Sequence, residues 1–203
     1  MKLKSVHLKR VTSALALAAS LWTAPALAQS PASVVRDTSY VAADGTTVLQ
    51  HVVVVPATMK QVWDAFATTE GAAAWVAPLV HIDFRLGGIW ESSYKPESKL
   101  GDPGNIQNQF VSYRPPHMIS MRVARTPPGF PHADVLTKEI VTVLEFKEIG
   151  PKEVEVTESM VGFKPNDKGH ETILGFFRQG NAEALTALRK RFVDGPIDFR
   201  KKD

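Results

Sequence analysis

The chain contains no cysteine. It therefore forms no disulfide, offers no thiolate to a metal ion and has no cysteine to carry a lipid anchor. Histidines are few, and those beyond residue 28 are widely scattered, without an H-x-H or HExxH pattern and without a carboxylate cluster at ligand spacing. The sequence predicts neither a metal site nor a bound cofactor.

Motifs typical of nucleotide-binding and hydrolytic enzymes are also missing. The chain has no G-x-G-x-x-G, no G-x-S-x-G and no P-loop. Residues 92–95 match S-x-x-K, but the companion SDN and KTG motifs are absent, and the match falls at a predicted strand end rather than a helix start. We interpret the match as coincidence and assign no residue a catalytic role.

The first 28 residues have the pattern of an export signal. A basic start (Lys2, Lys4, Lys9, Arg10) precedes an apolar stretch at 11–22 and a small-x-small site at 26–28. The stretch is too short to span a bilayer, which favours a cleaved signal over an uncleaved anchor. We expect cleavage after Ala28, a periplasmic location and no stable membrane anchor afterwards.

Removing this segment changes the charge of the chain. It holds four of the 24 Lys and Arg residues and none of the 21 Asp and Glu residues, so 20 bases against 21 acids remain, a formal charge of −1. No basic field is left to attract nucleic acid or an anionic membrane. Residues 29–203 show one composition and no repeat, which predicts a single domain.

Local signals place the first elements. Asp44-Gly45 lies between two β-rich runs, 34–41 and 46–55, and predicts a hairpin. Thr58 and Gln61 fit a capping box, which begins a short helix at Met59, and a second short helix follows and ends before Pro78.

The following residues predict about seven or eight antiparallel strands in all, including one over 136–149 that pairs with 153–161. Loops are expected at 95–104 and 125–134. A long helix over 170–192 closes the chain, with Asn181 on its apolar side and glycines at 175 and 180. Such glycines favour close backbone packing, or else space for a ligand.

This order of elements resembles the helix-grip fold of the START-like, or SRPBCC, superfamily. The resemblance rests on residues 52–78, on DFRLGGIW at 83–90 and on ILGFFRQGNAEALTALRKRF at 173–192. These stretches are similar to the branch named for an activator of a heat-shock chaperone ATPase. The resemblance implies an α+β fold in which a curved sheet grips the long helix and a cavity lies between them. It also implies that Trp63 and Trp75 close one end, as core or as ligand contacts.

Two groups of residues are candidates for the site. Polar candidates share a predicted strand face or a neighbouring strand, where they would orient a ligand or face water: His81, Asp83, Arg85 and Glu91. Cavity candidates are Trp63, Trp75, Trp90, Phe110, Met118, Met121, Phe163, Leu174, Phe177 and Asn181.

Three functions follow from this interpretation. The first is a periplasmic carrier of a small apolar or amphipathic molecule, with the loops at 95–104 and 125–134 as a mouth. The second is a cyclase- or hydratase-like enzyme, which needs an acid or base pointing into the cavity. The third, chaperone ATPase activation, conflicts with export, because the periplasm lacks ATP. The sequence names no protein partner.

Overall fold

A nine-stranded antiparallel sheet wraps around one long helix. The computed structural model describes residues 34–199, and the predicted signal at 1–28 lies outside them. The sheet order is β1-β3-β9-β8-β7-β6-β5-β4, with β2 paired to β3. The strands are β1 (Val35–Asp37), β2 (Tyr40–Val41), β3 (Thr47–Val55), β4 (Leu79–Ile82), β5 (Ile89–Ser93), β6 (Ile106–Arg114), β7 (Met118–Arg125), β8 (Val141–Gly150) and β9 (Glu153–Phe163). The helices are α1 (Met59–Ala67), α2 (Thr69–Ala73), α3 (Ala133–Lys138) and α4 (Lys168–Asp194).

The predicted helix starts are confirmed by their caps. The Thr58 side chain accepts from the Gln61 backbone N–H, and the Gln61 side chain accepts from the Thr58 backbone N–H, so the capping box is complete. Asp167 caps α4 by accepting from the backbone N–H groups of Gly169 and His170. None of the helices in residues 34–199 is long and apolar enough to cross a membrane.

The inner face of the sheet follows from strand pairing. Residues directly opposite one another share a face, so the pairs Val53↔Val156 and Leu49↔Met160 place one apolar row beside α4. Leu185 and Leu188 on α4 are almost fully buried and pack in the larger of two core clusters. Residues 34–199 therefore have the α+β helix-grip architecture expected from the resemblance.

Two local predictions were wrong. The strand expected over 136–149 begins only at Val141, because residues 133–138 form α3, whose Val135 and Leu136 are buried. A six-residue helix depends on such tertiary burial rather than on its own propensity, so periodicity does not reveal it. The strand face predicted to hold His81, Asp83 and Arg85 does not extend that far, because β4 ends at Ile82, where the chain turns and Arg85 N–H donates to the Asp83 carbonyl.

A cavity between the sheet and the long helix

A cavity lies between α4 and the inner face of the sheet. We name it the central cavity, and its volume is about 610 Å³. Aromatic and aliphatic side chains dominate its lining: Phe66, Trp75, Val76, Trp90, Ile106, Met121, Val123, Pro127, Phe130, Leu136, Leu144, Phe176, Phe177, Ala184, Leu185, Ala187, Ile197 and Phe199. This size and apolar character are those of small-molecule sites in proteins.

Five of the predicted cavity residues line the central cavity: Trp75, Trp90, Met121, Phe177 and Asn181. Trp75 is held in place because its indole N–H donates to the Ala65 carbonyl at 3.0 Å, while its ring contacts Phe66 edge-on at 5.2 Å. Its N–H is therefore satisfied by α1, and only its apolar ring surface is offered to the cavity.

The other five predicted cavity residues lie elsewhere. Phe110 and Phe163 are buried in the two core clusters, and Leu174 packs on the second of them. Met118 pairs with Arg114 and Glu145, both exposed, so it lies on the outer face of the sheet. Trp63 stacks edge-on against Phe84 and Phe146 and lines a different depression. Their positions depend on strand parity and helix rotation, which the sequence does not fix.

That second depression is an open groove beside α1, which we name the surface groove. It has a volume of about 960 Å³ and is lined largely by charged residues, among them Lys60, Arg114, Glu145 and Lys147. Because its charged groups face solvent, the surface groove lacks the apolar enclosure that a small apolar ligand requires.

None of the four polar candidates lines the central cavity. His81 is exposed, and Asp83 forms an ion pair with Arg85 at 2.9 Å in which both side chains remain largely in solvent. Such an exposed pair contributes little to stability. For His81, Asp83 and Arg85 the second alternative, a surface that faces water, agrees with the structure.

Glu91 is buried, and its hydrogen bonds give it a structural role. Its carboxylate accepts from Gly101 N at 2.6 Å, Asn105 Nδ2 at 2.6 Å and Gln107 Nε2 at 2.9 Å, and Arg125 Nη2 lies 3.8 Å away. Burial raises the pKa of this carboxyl, but these hydrogen bonds outweigh it and the net pKa is lowered. The loop expected as a mobile mouth at 95–104 is thus tied to β5, and none of its residues lines the central cavity.

Glu158, which was not among the predicted site residues, lines the central cavity. Glu158 lies on β9 between the buried Val156 and Met160 and faces the cavity. Burial raises the pKa of its carboxyl to about 7. Among residues 34–199 no group donates a hydrogen bond to it and no cation pairs with it. The alternation Val154, Val156, Glu158, Met160 was a usable signal, because it puts one acid in an apolar row.

Four uncharged polar side chains also line the cavity without making hydrogen bonds to protein groups within residues 34–199: Ser92, Asn108, Thr126 and Asn181. Asn181 is the most informative, since it is only 5% exposed and its buried Nδ2 has no acceptor. Buried polar groups in native proteins nearly always have partners. An orphaned amide in a cavity wall therefore points to a ligand or to cavity water.

Lining residues that are exposed mark the opening of the central cavity. Exposed Tyr94, Phe176 and Glu183 line the opening, and the ring of Phe130 meets that of Phe176 edge-on at 5.5 Å. The predicted loop at 125–134 contributes Thr126, Pro127 and Phe130, so it borders the opening as expected.

The glycines of α4 do not serve close packing. A Cβ added at Gly175 or at Gly180 would meet nothing within 4 Å. Gly180 lines the central cavity, whereas Gly175 is exposed. The preferred explanation of close backbone packing was therefore wrong, and Gly180 instead leaves space on the cavity wall. Residues 34–199 contain no group of three or more side chains suited to hold a metal ion.

Comparisons with solved structures show the fold. The solution structure of the Aha1 dimer from Colwellia psychrerythraea is similar at a TM-score of 0.56 and 11% identity, covering 73% of this chain and 97% of that one. The crystal structure of CalU16 from Micromonospora echinospora gives 0.54 at 16% identity, covering 83% and 88%. EF2215 from Enterococcus faecalis, titled a conserved protein of unknown function, gives 0.52 at 16% identity, covering 81% and 84%.

Sequence comparison identifies the family to which the chain belongs. No curated protein sequence matches the chain. The family model described as Activator of Hsp90 ATPase homolog 1-like protein matches residues 56–192, which run from the end of β3 through nearly all of α4. That span includes the central cavity except its two C-terminal lining residues, Ile197 and Phe199. The chain therefore belongs to the Activator of Hsp90 ATPase homolog 1-like protein family.

Proposed function

We propose that this protein binds and carries a small, largely apolar molecule in the central cavity. The observation that carries the proposal is the unpartnered Asn181 amide in the wall of an apolar cavity of about 610 Å³. Specific small-molecule sites combine such an apolar enclosure with a few polar groups that fix orientation. Here the polar groups are those of Glu158, Asn181, Ser92 and Asn108.

We further propose that the carrier acts in the periplasm. The support is the sequence pattern of residues 1–28, with its basic start, short apolar stretch and Ala-Leu-Ala site. An exported, ATP-free location favours a carrier over chaperone ATPase activation, although that activity gives the family its name. Shared fold alone does not transfer an activity, because function resides in the site.

The residues that an enzymatic function would require do not line the central cavity. His81, Asp83, Arg85 and Glu91 lie outside the cavity wall, so none of them is placed to meet a molecule inside it. Among residues 34–199 the titratable side chains that line the cavity are Glu158 and the exposed Tyr94 and Glu183. An acid such as Glu158, without a positioned partner, favours binding over acid/base turnover.

Native mass spectrometry of protein purified gently from its own host tests the proposal. We expect a stoichiometric adduct of small-molecule mass on the chain cleaved after Ala28. The matched variants are Gly180→Phe, which fills the cavity wall, and Gly175→Phe, which adds the same side chain on the exposed part of α4. The adduct should be lost in Gly180→Phe and kept in Gly175→Phe. Retention in both variants would refute the cavity as the binding site.

A further inference from the structure

We infer that the molecule bound in the central cavity carries a protonated nitrogen, and that Glu158 and Asn181 bind this group. The inference rests on the proposed function, since it needs a ligand in the cavity. It specifies the chemical class, which is an apolar molecule with one basic amine.

The charge of the cavity wall is the first argument. Among residues 34–199 its ionisable side chains are Glu158, Glu183 and Tyr94, and within that range no lysine, arginine or histidine lines it. A ligand carboxylate or phosphate would therefore meet acids and no counter-charge, at the reduced dielectric of an apolar cavity. Beside a neutral ligand Glu158 would either be protonated or remain an unpaired, desolvated carboxylate, which is costly. A cation compensates the carboxylate directly.

The surroundings of Glu158 are the second argument. On β3 its opposite residue is His51, which interacts with Asp37 and Arg178 rather than with Glu158. On β8 its opposite residue is the apolar Leu144.

The remaining ionisable groups near the cavity are also accounted for. The cavity-lining acid on α4 is the exposed Glu183. Tyr94 also lines the cavity, and its pKa is raised by burial and by the charge of Glu158. Arg178 on α4 is paired with Asp37. No protein cation in residues 34–199 therefore occupies the position beside the Glu158 carboxylate.

The hydrogen-bonding capacity of the wall is the third argument. An ammonium group carries up to three N–H donors and accepts nothing. The wall offers the Glu158 carboxylate, the Asn181 amide oxygen and the Ser92 hydroxyl as acceptors, and none of these side chains is used by another protein group in the described chain. The orphaned Asn181 Nδ2 is a donor, so it needs cavity water or a second, accepting group of the ligand. A buried amine needs such partners to offset its desolvation.

The titration of Glu158 predicts the direction in which pH changes the affinity for an amine. A pKa of about 7 means that the empty site is partly protonated near neutral pH, and binding of a cation requires the carboxylate. Amine affinity should therefore rise as the pH increases from about 5.5 to about 8. His51, Asp37 and Arg178 do not line the central cavity, and Glu183 is exposed. Burial raises the pKa of Tyr94 above its ordinary value, so Tyr94 stays protonated over this pH range.

Calorimetric titration with three probes of one skeleton tests the inference: naphthylmethylamine, naphthylmethanol and naphthalenecarboxylate. We expect the amine to bind tightest. Glu158→Gln, which keeps the side-chain shape, should weaken amine binding about tenfold to a hundredfold, the range of a hydrogen bond to a charged group. Glu171→Gln, at an exposed acid of α4 that does not line the central cavity, is the matched control and should change amine affinity less than about threefold.

The neutral alcohol separates failure of the inference from failure of the proposed function. Binding of naphthylmethanol by wild type and Glu158→Gln alike shows a folded, open cavity. If the alcohol or the carboxylate binds as tightly as the amine, or if Glu158→Gln leaves amine affinity unchanged, the inference is wrong while the carrier proposal stands. If none of the three probes binds, both are wrong.

Discussion

His51 and Glu158 lie directly opposite each other on β3 and β9, with both side chains on the inner face of the sheet. Burial lowers the pKa of His51 and raises that of Glu158 to about 7. Both effects favour the uncharged form. The side chains of His51 and Glu158 therefore lie side by side on the inner face of the sheet. Of these two, only Glu158 lines the central cavity.

The first prediction concerns the pH dependence of stability. A carboxyl with a folded pKa above its unfolded value stabilises the fold at low pH, and this contribution is lost as the pH rises through about 7. Glu158→Gln removes this titration. We expect the variant to exceed wild type in free energy of unfolding by about 1–3 kcal/mol near pH 8, and by much less near pH 5.

Urea unfolding at both pH values measures the effect, with Glu183→Gln as the control. The control acid is exposed, so its substitution should leave the pH profile unchanged. A Glu158→Gln variant that tracks wild type at both pH values would show that the carboxyl is not desolvated.

The second prediction concerns the two α4 glycines. Alanine is favoured over glycine inside a helix by about 1 kcal/mol, and neither added Cβ meets another atom within 4 Å. Gly175→Ala and Gly180→Ala should each raise the free energy of unfolding by about 0.5–1 kcal/mol. Chemical denaturation measures both. A loss of stability at either site would mean that the backbone there is packed more closely than the structure shows.

The third prediction concerns Glu91. Glu91→Gln replaces a buried carboxylate that accepts three hydrogen bonds. We expect the free energy of unfolding to fall by about 1–3 kcal/mol. Affinity for naphthylmethanol should stay unchanged, because neither Glu91 nor the loop at 95–104 lines the cavity. Weakened binding of naphthylmethanol in a folded Glu91→Gln variant would indicate that Glu91 contributes to the ligand site.

The fourth prediction concerns Trp75. Trp75→Phe removes the indole N–H that donates to Ala65 and leaves that buried carbonyl with one partner fewer. It should lower the free energy of unfolding by about 1–3 kcal/mol. Thermal and urea unfolding measure the loss. Stability equal to wild type would show that the hydrogen bond contributes nothing to holding α1 and the end of α2 together.

Local signals in the sequence predicted the elements well, because they act over a few residues. The capping box at Thr58, the hairpin turn at Asp44-Gly45 and the long closing helix are all present. The short helix α3 was missed since its stability comes from burial of Val135 and Leu136 against distant residues.

The candidate site was harder to predict, because it depends on which side of each strand faces α4. Irregularities in the pairing of β6 with β7, between Gln107 and Asn108 and between Phe110 and Ser112, break simple alternation there. On the regular strand β9 alternation did place Glu158 inward, and an acid in an apolar row should have been selected. Asn181 was found by the same reasoning on a helix.

The most direct test of the account is to follow the indole N–H resonances of residues 29–203 by nuclear magnetic resonance during titration with naphthylmethanol. Trp75 and Trp90 line the central cavity, whereas Trp63 lines the surface groove. Saturable shifts at Trp75 and Trp90, with Trp63 unchanged, are the predicted result. Shifts confined to Trp63, or no shift at any of the three, would contradict binding in the central cavity.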